Sequence, residues 1–188
     1  MKKVTKRLQV STLSLLLFSL PIQAESDLER LYRYYNAKSY QKACNLGLRL
    51  FGKYKKNGDF LMLYGFSCLK ADYIDRLAVP MTGLRKTKTE RANASYFATV
   101  ILQKKLLYHA LVDHVDISQL RLPRTDYILS EVFDMYTHNN YTKREGKLYF
   151  RPDNGKVYTL YLVRSGPSPK MVIEEWEGET LIKTHTYW

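Results

Sequence analysis

The sequence predicts an α+β fold: an array of about six helices arranged as hairpins, followed by a small four-stranded antiparallel β-meander packed on the last helices. Three observations carry this. Apolar residues recur at helical spacing from Leu28 to Tyr136. The period then changes at Thr137-His138-Asn139-Asn140 to alternation, and Pro152-Asp153-Asn154-Gly155 divides two alternating runs as a hairpin turn does.

Element by element, Ser26-Asp27-Leu28-Glu29 is a capping-box pattern, in which serine accepts from a first-turn amide and glutamate reaches back. The first helix carries Leu28, Leu31, Tyr32 and Tyr35 to a tight turn at Asn36 to Lys38. Ser39 is placed to cap the second, with Tyr40, Ala43, Cys44, Gly47, Leu50 and Phe51 inward and an end near Asn57-Gly58, where left-handed backbone is tolerated. A third runs from Asp59 to about Ala71, and Asp72 is placed to cap a fourth with Ile74, Leu77 and Ala78. Pro80 lacks an amide donor and crowds the preceding turn, so Val79 to Lys88 reads as a kink, a short helical turn or a loop. Thr89-Glu90 opens the longest helix, reaching about Val112, and Thr125 is placed to cap a last one through Tyr127, Ile128, Val132, Phe133 and Tyr136. Strands are expected at Lys147 to Arg151, Lys156 to Val163, Lys170 to Trp176 and Thr180 to Tyr187.

Ahead of these elements, Lys2, Lys3, Lys6 and Arg7 lead into the apolar stretch Leu13 to Leu20 and a small residue at Ala24. That is the layout of a secretory signal peptide, and its apolar core is far short of the roughly 20 residues that span a bilayer. The expected organisation is therefore a signal peptide over 1–24, a helical domain over 25–140 and the meander over 141–188, with no integral membrane span after signal removal and a periplasmic or secreted location. An uncleaved leader is the alternative. The formal charge is +12; the leader's four basic residues are unopposed by any acid, so the remainder carries +8. For an exported chain this favours acidic lipid head groups, anionic envelope polymers or acidic protein faces, and nucleic acid is not an expected partner.

Cys44 and Cys68 are the only cysteines and lack metal-type spacing. If they lie on antiparallel helices meeting near Asn57-Gly58, a bridge is within reach and closes a loop of about 25 residues, worth on the order of 3 kcal/mol. Two reduced core cysteines fit the sequence equally well.

The first four helices resemble hairpins of the tetratricopeptide-repeat family. Tyr40-Gln41-Lys42-Ala43 comes after a tight turn as in that family's second helix, Tyr64-Gly65 stands where it often has a large residue and then glycine, and Ala43 to Leu77 spans its 34-residue repeat. The likeness covers about residues 28–84 and departs at Pro80, at the missing unit-closing prolines and in lacking a third copy. The resemblance implies a surface that presents itself to a partner protein or peptide.

No sequence pattern marks a catalytic centre. His109, Asp113, His114 and Asp116 form the most metal-like group, but His114 falls about 140 degrees round a continuous helix from His109, so no metal or other cofactor is expected. Glu174, Glu175 and Glu177 flank Trp176, and strand alternation puts Glu174 with Trp176 on one face and the other two glutamates on the opposite one, which argues against a glycosidase pair. The functional expectation is an exported, non-enzymatic adaptor for a protein or peptide, with Tyr32, Tyr35, Tyr64, Phe97 and Tyr108 as contacts, core packing being the alternative for each. The competing expectation is an envelope enzyme or accessory protein acting on an anionic polymer, steered by Arg85, Lys86, Lys88, Lys104 and Lys105. A purely structural module is a third.

Overall fold

The computed structural model describes residues 25–164 and 166–188; the predicted leader lies outside them. Among these residues six α-helices precede a five-stranded antiparallel sheet: α1 Asp27–Asn36, α2 Tyr40–Tyr54, α3 Gly58–Lys70, a 3-10 turn Ile74–Leu77, α4 Ala78–Gly83, α5 Lys88–Asp113 and α6 Ile128–Thr137. The strands are β1 Thr142–Arg144, β2 Lys147–Phe150, β3 Lys156–Val163, β4 Lys170–Glu177 and β5 Thr180–Tyr187, adjacent in chain order.

Local chemistry explains most boundaries. The Ser26–Glu29 capping box forms in both directions, at 3.2 Å from the Glu29 amide to Ser26 Oγ and 2.8 Å from the Ser26 amide to Glu29 Oε2. Asn57 does not end α2 in a left-handed turn. It caps α3 instead, accepting from the Phe60 amide at 2.9 Å. Thr87, two residues before the expected start, caps α5, while the Glu90 carboxylate gathers the amides of Arg85 and Lys86 at 3.0 and 2.8 Å. Thr125 accepts from the Tyr127 amide, but the helix itself begins at Ile128.

The expected fourth helix is replaced by the 3-10 turn and the six-residue α4, in which Pro80 sits in the first turn, where a missing amide donor costs nothing. Asp72 is no helix cap: it takes the left-handed conformation (φ 62°) and directs its carboxylate to distant partners.

The sheet has five strands rather than four. β1 pairs with β2 through a two-residue turn whose residues Glu145 and Gly146 both have positive φ (49° and 77°), the geometry that matches strand twist. Along one face, Leu148, Leu160, Ile173 and His185 lie in one cross-strand row toward the helices. A single buried cluster runs from Leu31 in α1 through Phe97 and Leu107 in α5 and Phe133 in α6 to Ile173 and Tyr187 in the sheet. α2 and α3 close tightly, since a Cβ on Gly47 would run into the Tyr64 ring, and α3 closes on α5, since one on Gly65 would run into Phe97. On the facing sides of the same pair Cys44 and Cys68 are joined by a disulfide.

Candidate functional site

Where β5 meets the 3-10 turn and α5, a cleft of about 360 Å³ is lined by Asp72, Asp75, Arg76, Lys104, Tyr187 and Trp188, among others. Asp72 sits at its base. Its carboxylate accepts from the Tyr127 hydroxyl, meets His185 Nδ1 at 2.8 Å and pairs with Lys183 Nζ at 3.2 Å, while the Tyr127 and Tyr187 hydroxyls lie 3.0 Å apart. Burial alone would raise the Asp72 pKa. The hydrogen bonds and charge of His185, with Tyr127 and Lys183, outweigh it and hold the carboxyl below its ordinary value. Burial pushes Tyr127 and Tyr187 well upward, so both stay protonated donors.

Beside this network, Lys104 lies in the middle of α5 and is 1 % exposed. Its ammonium bonds Asp75 Oδ2 at 2.7 Å and a main-chain oxygen of Trp188, and Lys105 reaches the other Asp75 oxygen at 2.8 Å. Desolvation lowers the Lys104 pKa against the pull of Asp75, whereas Asp75, despite partial burial, is held low by the two lysines. Arg76 lies over the Tyr73 ring at 4.5 Å and donates to Asn45 at 2.6 Å, and Trp188, 58 % exposed, forms an aromatic wall. The cleft therefore joins two fixed cations, two carboxylates and three aromatic side chains at the end of a strand.

No family model matches this chain, and no curated protein or solved structure is significantly similar to it. The site accordingly rests on its own geometry.

The sequence-predicted contacts are not brought together. Tyr64 and Phe97 are wholly enclosed packing residues and not contact residues, the first beneath Gly47 and the second beneath Gly65. Tyr35 is half-buried edge-on to Tyr40, Tyr108 donates its hydroxyl to the Pro169 carbonyl at 2.7 Å, and only Tyr32 is broadly open, at 60 %. Lys104, expected among the ligand-steering surface cations, is instead buried, while Arg85, Lys86, Lys88 and Lys105 are exposed. His109 pairs with Asp113 at 2.7 Å on the surface, and among the described residues no three metal-type ligands converge.

The alternation read at Trp176 holds. Glu174 and Trp176 lie on the sheet's outer face, in a hollow of about 270 Å³ shared with Lys147, Tyr149, Arg151 and Thr159, whereas Glu175 pairs with Lys156. Burial works to raise Glu174, but the hydroxyls of Thr159 at 2.7 Å and Tyr161 at 2.8 Å and the charge of Lys147 hold it ionised. The Asp72, Tyr127, His185 and Tyr187 network was beyond sequence reasoning, since its members stand up to 113 positions apart. The one available signal is Asp72 itself, a residue type that tolerates left-handed backbone at a helix end.

Proposed function

We propose that the protein is an exported, non-enzymatic adaptor of the cell envelope that holds an extended peptide segment of a partner protein along β5, with the end of that segment in the adjoining cleft. The observation that carries this is the asymmetry of the two sheet edges. β1 is three residues long and bears Lys143 and Arg144, the short charged form that discourages strand addition. β5 is eight residues long, exposes Leu181 and Ile182, runs regularly from Lys183 to Tyr187 beyond a bulge at Ile182, and makes no main-chain hydrogen bond on its outer side among the described residues. An added strand gains its main-chain bonds there and brings its terminal residues to Arg76 and Trp188. The imidazole of His185, 3 % exposed, is closed in with Asp72 and Tyr187 instead of facing a substrate, which supports binding over bond-breaking. The disulfide suits an oxidising compartment and so supports export. The repeat-like hairpins serve in this reading as the rigid body that presents the cleft.

A photo-crosslinking residue placed at Ile182 in intact cells, with one at Lys88 as control, tests the reading. One dominant envelope protein captured at Ile182 and absent at Lys88 supports it. Equal capture at the two positions, or recovery of glycan fragments at Ile182, sinks it.

A further inference from the structure

A second hollow, of about 370 Å³, opens between the C-terminal ends of α5 and α6 and the helix-facing side of the sheet. Leu111 and Leu162, both half-buried, supply its apolar surface over the enclosed Leu148 and Leu160, and Tyr136 and Tyr141 stack beside it with ring centroids 5.5 Å apart and planes 14° from parallel. Its charged lining is Lys143 from β1 and Arg164 just after β3, both cations, and the His114 imidazole stands with them where α5 ends in the left-handed conformation (φ 58°).

Among the described residues no carboxylate lines the hollow, and neither Lys143, Arg164 nor His114 makes an ion pair. Asp116 is not part of the lining; it adds to the rise of the Tyr136 pKa behind burial and Tyr141, and its Oδ1 accepts from the Ser118 amide at 2.8 Å. This contrasts with the β5 cleft, whose lysine is already matched by Asp75.

We infer that this hollow binds an anionic amphiphile: a carboxylate or phosphate monoester head on a hydrocarbon body. A bare anion relieves the mutual repulsion of the cations but leaves the leucine surface wet, and a neutral hydrocarbon does the reverse. Only a ligand with both parts uses the whole lining, and the volume is within the range of small-molecule sites. The same chemistry reaches an envelope protein from a bilayer lipid or from a free single-chain acid.

Calorimetric titration of the full protein with decanoate and with decyl phosphate is the test, with decanol, acetate and inorganic phosphate as controls. The expected result is one ligand per chain, bound at least about tenfold more tightly than any control, and weakened about tenfold or more in Lys143→Gln/Arg164→Gln. Both replaced side chains are exposed, so the variant keeps its fold, which a melt verifies. Displacement by phosphatidylglycerol vesicles but not phosphatidylcholine vesicles assigns the bilayer as source; no displacement assigns the free acid, and either is consistent with the site. Decanol binding as tightly as decanoate, inorganic phosphate binding as tightly as decyl phosphate, unchanged affinity in the double variant, or no binding at all overturns it.

Discussion

At Lys104 the chain holds an ammonium where its neighbours in the core are hydrocarbon, and the cost of removing it from water is offset by Asp75 and the Trp188 oxygen. In Lys104→Met, Asp75 keeps Lys105 at 2.8 Å, but the Trp188 oxygen loses its donor. Lys104→Met is therefore expected to lose about 1 kcal/mol, and Lys104→Ala about 2 kcal/mol or more because it also opens a cavity. A loss of more than about 3 kcal/mol in the methionine variant, read by urea unfolding, would show that the charge itself holds the seam. Asp72 makes the opposite case, since its folded pKa is depressed below the ordinary 3.8. Its contribution is present above that value and is lost as the pH falls through the folded pKa. Asparagine also tolerates the left-handed backbone, so Asp72→Asn isolates the charge. The expected loss is about 1–3 kcal/mol at pH 7, and the gap between parent and variant should close as the pH drops below 3.8. A gap independent of pH would deny the carboxylate this role.

Among the elements, α2 and α3 are set by what glycine leaves out. Gly47 admits the Tyr64 ring, so Gly47→Ala is expected to cost about 1–3 kcal/mol through overpacking. Gly52, later in α2, has open space around it, and Gly52→Ala should gain up to about 1 kcal/mol from helix propensity alone. Parallel urea titrations check the pair, and equal shifts would mean that the two helices do not close at Gly47. Elements were legible where a local rule decides them: the Ser26–Glu29 box, the change of period before β1, and the turn before β3, although there Gly155 alone has positive φ (77°) and Asn154 instead caps the Lys156 amide. They were not legible where a tertiary partner decides. β1 is three polar residues that alternate nothing, and it exists because β2 offers an edge. Asp72 reads as a helix cap until His185, far along the chain, is seen to compete for it. Tyr64 and Phe97 fall in the apolar sets of their helices, but a large aromatic there suits a contact surface as well as a core, and the glycine notches of the opposing helices decide for the core.

Over the whole molecule, the buried cluster crosses from the helices to the sheet without a break, through Leu107, Phe133, Leu160 and Tyr187, and the Asp72 network adds a polar tie at the same seam. Opening one layer would expose the apolar face of the other, so helices and sheet should unfold together. Two intrinsic probes separate them. Both tryptophans, Trp176 and Trp188, lie in or directly after sheet strands, while the helical ellipticity comes from α1 to α6, all of which precede the sheet in the chain. Indole fluorescence thus reports the sheet and ellipticity at helical wavelengths reports the array. Coincident urea midpoints are expected with the Cys44–Cys68 bridge intact. In Cys44→Ser/Cys68→Ser both midpoints should fall together, by a loss on the order of 3 kcal/mol, because the released loop of about 24 residues belongs to the denatured chain of the whole unit. If only the ellipticity midpoint moved, the helices would be an independent domain, the seam would be an interface between two bodies, and the β5 cleft would lack the fixed geometry that peptide capture requires.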